Sequence, residues 1–98
     1  MYFLVYLAHP KPSHHEYGVI DGAYISVWVR DPVEDAADRA ARELIEAEGW
    51  DIEERDEAYP LAGDHYAPHE DGYHYMEQAR QDGISAVFHR WDVGAPDE

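Results

Sequence analysis

Residues 22–58 read GAYISVWVRDPVEDAADRAARELIEAEGWDIEERDEA and hold a strand, a helix and a second strand in succession. From Tyr24 to Arg30, Ile25, Val27 and Val29 alternate with Tyr24, Ser26, Trp28 and Arg30, the period of two expected of a strand. Asp31-Pro32-Val33-Glu34 is a helix start. Asp31 is placed to cap free N–H groups, Pro32 suits the first helical position, and Glu34 can complete a capping box. Val33, Ala36, Ala37, Ala40, Ala41, Leu44 and Ile45 then form one apolar stripe on a charged cylinder. Asp35–Arg39, Asp38–Arg42 and Arg42–Glu46 have the i, i+4 spacing of helical ion pairs. Gly49 supplies the left-handed position that ends the helix. Trp50 and Ile52 open the next strand, opposite in direction to Asp51 and Glu53. A strand–helix–strand unit of this length predicts a right-handed parallel crossover.

Toward the N-terminus, Tyr2 to Ala8 predicts a strand with Phe3, Val5 and Leu7 on one face and Tyr2, Leu4 and Tyr6 on the other. Residues 9–22 read as a long irregular loop, of the kind that either binds something or stays partly disordered. Toward the C-terminus, residues 58–69 are a second irregular stretch. A helix is predicted from near Pro68, with Gly72, Tyr75, Met76 and Ala79 buried and Gly83 at its end. Ile84 to Trp91 predicts the last strand, and residues 93–98 a flexible acidic tail, so that 1–92 form a single α/β domain. The order β-β-α-β-α-β predicts an α/β (α+β) two-layer sandwich: a mixed four-stranded sheet with two helices on one face. It resembles a ferredoxin-like fold in outline, without that fold's order of elements.

Ninety-eight residues, 45% of them hydrophobic, suffice for one modest core. The absence of cysteine excludes disulfides, thiolate metal sites and cysteine nucleophiles. The apolar start, Tyr2 to Ala8, is too short for a signal peptide or a membrane span, which predicts a cytoplasmic protein. Twenty-two acidic residues against seven basic ones give a net charge of −15. That field disfavours nucleic acid and anionic membranes as partners. It fits three situations: adaptation to a salty cytoplasm, neutralisation of a basic protein partner in the manner of an immunity protein or antitoxin, or simply an acidic, arginine-preferring composition.

With Phe3, Val5, Leu7, Ile25, Val27, Val29, Trp50, Ile52, Ile84, Ala86 and Phe88 assigned to the helix-covered side, the other sheet face keeps Tyr2, Leu4, Tyr6, Tyr24, Trp28, Val87, His89 and Trp91. An open sheet face is normally polar, and an aromatic one marks an interface. The expectation is a homodimer through Tyr2, Tyr6, Tyr24, Trp28, His89 and Trp91, with Trp28→Glu giving a soluble monomer. A loop folded over this face, or a small ligand or peptide seated on it, would also account for it. A base-stacking platform would need basic surroundings, which are absent.

Candidate chemistry is thin. His65, His69 and His74 are the tightest of the seven histidines, and with Glu70 or Asp71 they are the candidate ligands for a metal such as zinc. Pro68 interrupts that cluster and the spacing matches no zinc motif, so no cofactor is expected. Parallel strands place ligands beyond their carboxyl ends, which would put Arg30, Tyr59, His65, His69 and Arg90 around a rim pocket. Pairing of the two arginines with Asp31 and Asp92 would explain them equally. None of Ser13, Ser26 and Ser85 lies in a nucleophile elbow, and no glycine-rich phosphate loop exists. The sequence therefore predicts a binding domain rather than an enzyme, with the acidic partner-neutraliser and a small metal protein or enzyme using residues 58–74 as alternatives.

Overall fold

The predicted alternation becomes four strands and the predicted stripes two helices. A computed structural model describes residues 1–93; the expected tail from residue 94 onward lies outside the described residues. In chain order the elements are β1 (Tyr2–Pro10), β2 (Ile20–Val29), α1 (Glu34–Ala47), β3 (Trp50–Pro60), α2 (Asp71–Asp82) and β4 (Ile84–Asp92). They form the small α+β sandwich expected, with one four-stranded sheet in the order β3-β1-β2-β4.

The sheet is antiparallel throughout rather than mixed. The β2–α1–β3 crossover does join two strands of the same direction, but β1 lies between them and runs against both. The strands joined by α2 lie at opposite edges and run in opposite directions, so the handedness rule for parallel crossovers does not govern α2. That helix docks on the face opposite α1, and the expectation of both helices on one face is corrected accordingly. Ala37, Ala41 and Ile45 of α1 pack with Leu4, Tyr6, Ala8, Ile25, Val27 and Val29. Met76 and Ala79 of α2 pack with Trp28, next to Phe3 and Val87.

Register explains which side chains of β1 face which helix. Leu4 pairs with Val27 and Tyr6 with Ile25, so the even residues of β1 share a face with the odd residues of β2. The opposite phase was expected. Every residue from Tyr2 to Ala8 is apolar or aromatic, so alternation within β1 carries no information about which set faces α1. Both sets end up under a helix or at its margin.

The helix ends follow the glycines more closely than the caps. Gly49 and Gly83 follow the two helices with φ of +90° and +96°, conformations that a side chain disfavours. At the start of α1, Asp31 accepts a hydrogen bond from the Val33 N–H at 2.8 Å, while Val33 holds the N-cap position without a side-chain cap. Val33 is exposed and outside the stripe. Helix α2 likewise begins at Asp71, later than Pro68.

The loop between β1 and β2 is shorter than expected, because both strands extend into it and leave only residues 11–19. It is a run of turns tied to the junction of α1 and β3: Lys11 N–H donates to the Gly49 carbonyl at 2.9 Å, and His14 packs edge-on against Trp50 at 5.2 Å. Ile20 joins the α1-side core, and Val19 faces solvent.

Candidate functional site: an aromatic groove beside α2

Away from α1, the sheet presents Phe3 from β1, Ser26 and Trp28 from β2, and Val87 and His89 from β4. Cross-strand pairing brings them together: Phe3 lies opposite Trp28, and Ser26 opposite Val87. Helix α2 lies over one end of this surface and turns it into a groove of about 460 Å³, with Asp71, His74 and Tyr75 on the helical wall. That volume is within the range of small-molecule sites.

The floor is built of ring contacts. Trp28 stacks on Tyr75 with centroids 5.1 Å apart and planes 14° apart, and Phe3 tilts against Trp28 at 5.0 Å. Trp28 is only 4% exposed. Its indole Nε1–H donates to the Tyr66 hydroxyl at 3.2 Å, which satisfies the one polar atom such burial strands. Tyr66 reaches this position because residue 72 is glycine: a Cβ there would collide with the Tyr66 ring. Ser85, buried beneath, donates to the Tyr75 carbonyl and fixes α2 to β4. Changing Gly72 to alanine should displace Tyr66 and cost about 1–3 kcal/mol, as overpacked sites do. The check is a denaturant melt together with the tryptophan emission maximum, which should move to the red as the indole loses its partner.

Only part of the expected interface is on this face. Tyr24, Trp28, His89 and Trp91 are: Tyr24 lies opposite His89 and contacts Trp91 at 5.6 Å. Tyr24 is 44% exposed, so the half of the face that α2 leaves open remains aromatic. Tyr2 and Tyr6 are on the α1 side, with Tyr6 fully buried, and are removed from that interface. The register of β1 described above is the reason.

The rim pocket is not assembled. Arg30 follows the last residue of β2, and its guanidinium donates to the Arg80 carbonyl at 2.6 Å. Arg90 pairs with Glu16 beside the opposite end of β2, next to Ala23. The pocket presumed parallel strands ending together, and an antiparallel sheet separates those ends. Tyr59 packs against Phe3 on β3, and burial, with Glu57 and Tyr66 nearby, pushes its phenol up. His65 lies edge-on to Tyr66, and His69 is exposed in the loop before α2. Among the described residues no three or more His, Asp or Glu side chains come together to hold a metal, and of the three candidate histidines only His74 reaches the groove. Phe3, Tyr66 and Tyr75 are groove residues that sequence reasoning did not assign to a site, and Asp71, a candidate metal ligand there, stands in the groove wall instead. Asp71 and Tyr75 were already placed on α2, but nothing in the sequence shows which sheet face α2 takes.

Two further polar clusters are internally satisfied. Under α1, the Tyr6 hydroxyl donates to Asp38 at 2.6 Å, Arg42 donates to the same carboxylate at 3.0 Å, and Arg55 bridges Asp38 and Glu34. The Arg42 guanidinium lies 5.4 Å over the Tyr6 ring. Burial first, then Asp38, pushes the Tyr6 phenol well above its ordinary value. Burial alone would raise Asp38, but the hydrogen bonds from Tyr6 and Arg42 and the charges of Arg42 and Arg55 outweigh it and hold the carboxyl low. Between residues 11–19 and the end of α1, a polar hollow of about 590 Å³ contains His15 and Arg90, and both are paired with Glu16.

Compared with models of protein families, with curated proteins and with solved structures, the chain matches none. No helix among the described residues is long and apolar enough to cross a membrane.

Proposed function

We propose that this protein is a small binding domain that takes a flat, largely apolar ligand in the groove between α2 and the sheet. The observation that carries the reading is the stacked Trp28–Tyr75 pair at the floor, with Asp71, His74, Ser26 and His89 at the edges. Concave aromatic surfaces with a few convergent polar groups are the usual form of a ligand site. The half-buried rings of Phe3 and Tyr75, backed by the buried Trp28, supply contact area, and the polar edge groups orient what lies on them. A net charge of −15, with Asp71 in the wall, favours a neutral or cationic ligand over an anion.

The test is a titration with small aromatic amines, their neutral analogues and the matching carboxylates, followed by two-dimensional NMR. The expected result is saturable shifts at the Trp28 indole, His74 and His89 for amines and neutral compounds, lost in His74→Ala. Shifts confined to other surfaces, or none for any class, would overturn the reading.

A second reading, the neutralisation of a basic protein, is favoured by β3. Asp51, Glu53, Glu54, Asp56 and Glu57 stand within seven residues of one edge strand, with Arg55 as their sole basic neighbour in it. Carboxylates so crowded repel one another. In the isolated protein, molar salt should therefore raise the melting temperature, since screening then acts within about 3 Å. Circular dichroism melts across a salt series check this. A complex with a basic partner should show the opposite dependence, weakening as salt rises.

A further inference from the structure

The two edges of the sheet are unequally protected. An edge strand offers unpaired backbone groups to any other strand, and soluble proteins blunt that hazard with charges, prolines or bulges. Strand β3 has all three: its five acids, Pro60 at its end, and two register shifts against β1. Strand β4 has almost none of them. It pairs with β2 without a shift from Ala23–Arg90 through Val29–Ile84, it contains no proline, lysine or glycine, and its two charged residues are Arg90, which Glu16 holds, and the terminal Asp92. Among the described residues no strand pairs with its outer side.

The margin beside that edge is apolar. Helix α1 packs over β1, β2 and β3. Ile84, Ala86 and Phe88, which point to the α1 side of β4, are left half-buried at the sheet's border.

We propose that the outer edge of β4 pairs antiparallel with β4 of a second copy of this chain, across a two-fold axis perpendicular to the sheet. An antiparallel edge is self-complementary under that operation, as an isologous interface requires. The axis keeps each face on its own side. Ile84, Ala86 and Phe88 of both copies then meet in the channel between the two α1 helices. Charge selects this edge and this partner. The eight strands would run β3-β1-β2-β4-β4-β2-β1-β3, with the acidic β3 strands at the two extremes. At about 4.8 Å per strand they lie about 34 Å apart, several times the roughly 8 Å Debye length of physiological salt. Pairing through β3 would instead set five carboxylates directly against five more. The groove beside α2 faces away from this channel, so the ligand reading and the dimer stand or fall separately.

The test is analytical ultracentrifugation of the full chain, with amide hydrogen exchange of the same samples. The expected species has twice the 11.3 kDa chain mass. Outward amides of β4 should be protected in it and lose protection on dilution, while those of β3 exchange fast throughout. Ala86→Glu, which sets like charges across the axis, should halve the mass and leave the circular dichroism spectrum unchanged. Because Ala86 also borders the core, the dilution experiment on the unaltered chain decides the matter independently. A monomer at every concentration overturns the proposal. So does a dimer that survives Ala86→Glu and is broken by Tyr24→Glu, which would place the contact on the aromatic face.

Discussion

Trp28→Glu should unfold the α2 side of the molecule, not yield a well-folded monomer. Trp28 is the centre of the smaller core: Phe3 lies on one side of it, Tyr75 stacks on it, and Met76 and Ala79 pack behind. Truncating a buried tryptophan even to alanine costs about 3–5 kcal/mol, from lost transfer energy and the cavity left behind. Glutamate adds a carboxylate to a site that is 4% exposed and has no cationic partner among the rings that line it. A domain of this size has about 5–15 kcal/mol in total, so the variant loses a large share of its stability. The loss should be uneven. The α1-side core of Leu4, Ile25, Val27 and Ile45 lies on the other face of the sheet from the Trp28 side chain and should melt last. Hydrogen exchange should show α2 and the loop before it opening first, with fluorescence reporting a solvated groove. A Trp28→Glu protein that melts at the parent temperature would show that α2 does not depend on this residue. Trp28→Phe separates the terms: it keeps most of the packing and loses the hydrogen bond to Tyr66, worth about 0.5–1.5 kcal/mol.

That expectation reverses the one drawn from the sequence, and the reversal shows where sequence reading stops. Alternation located β2 and β4, because polar and apolar residues take turns along them. The alanine stripe located α1, and Gly49 and Gly83 located both helix ends. These signals are local, and each is written in consecutive residues. Two facts are not local. The phase of β1 against β2 depends on which of two equally apolar sets meets α1, and the residues from Tyr2 to Leu7 offer no polar contrast to choose by. The strand order is the second: β1 between β2 and β3, with β4 antiparallel on the far side of β2, turns a mixed sheet into an antiparallel one and frees α2 to cross the other face. The candidate site inherits both. Tyr24, Trp28, His89 and Trp91 do share one sheet face, since they lie on β2 and β4, whose phase is legible. Tyr2 and Tyr6 were grouped with them wrongly, through β1. The α2 wall of the groove depends on which face that helix covers, and its stripe of Tyr75, Met76 and Ala79 fits either. Only Gly72 hinted at a close approach, because glycine in the first turn of a helix has no propensity reason to be there.

Asp38→Ala should cost about 2–3 kcal/mol, by leaving the Tyr6 hydroxyl without an acceptor in a fully buried position. Tyr6→Phe removes the donor instead and leaves Asp38 paired with Arg42 and Arg55, so it should cost less than Asp38→Ala. The double variant should cost less than the sum of the two, since the second change removes the group that the first left stranded. The pair also fixes how stability varies with pH. Asp38 is held below its ordinary carboxyl value when folded. Its contribution is therefore complete above about pH 4, the unfolded value, and is lost as the pH falls through the lower folded value. The Tyr6 phenol is raised when folded. The neutral form is the one the fold favours, so its contribution is complete below about pH 10 and is lost as the pH rises beyond that. Melting temperature against pH should thus fall at both ends. Asp38→Asn, which still offers an oxygen to Tyr6, should remove the acid limb and, by deleting the charge beside the phenol, soften the alkaline one in part, while Tyr6→Phe should chiefly flatten the alkaline one. If Tyr6→Phe leaves the alkaline limb unchanged, the phenol is not protected by its burial under α1, and the clamp between β1 and α1 is weaker than its 2.6 Å hydrogen bond implies. If both limbs respond as described, Tyr6 is established as a core residue that fastens the sheet to α1, in the place where an exposed interface tyrosine was expected.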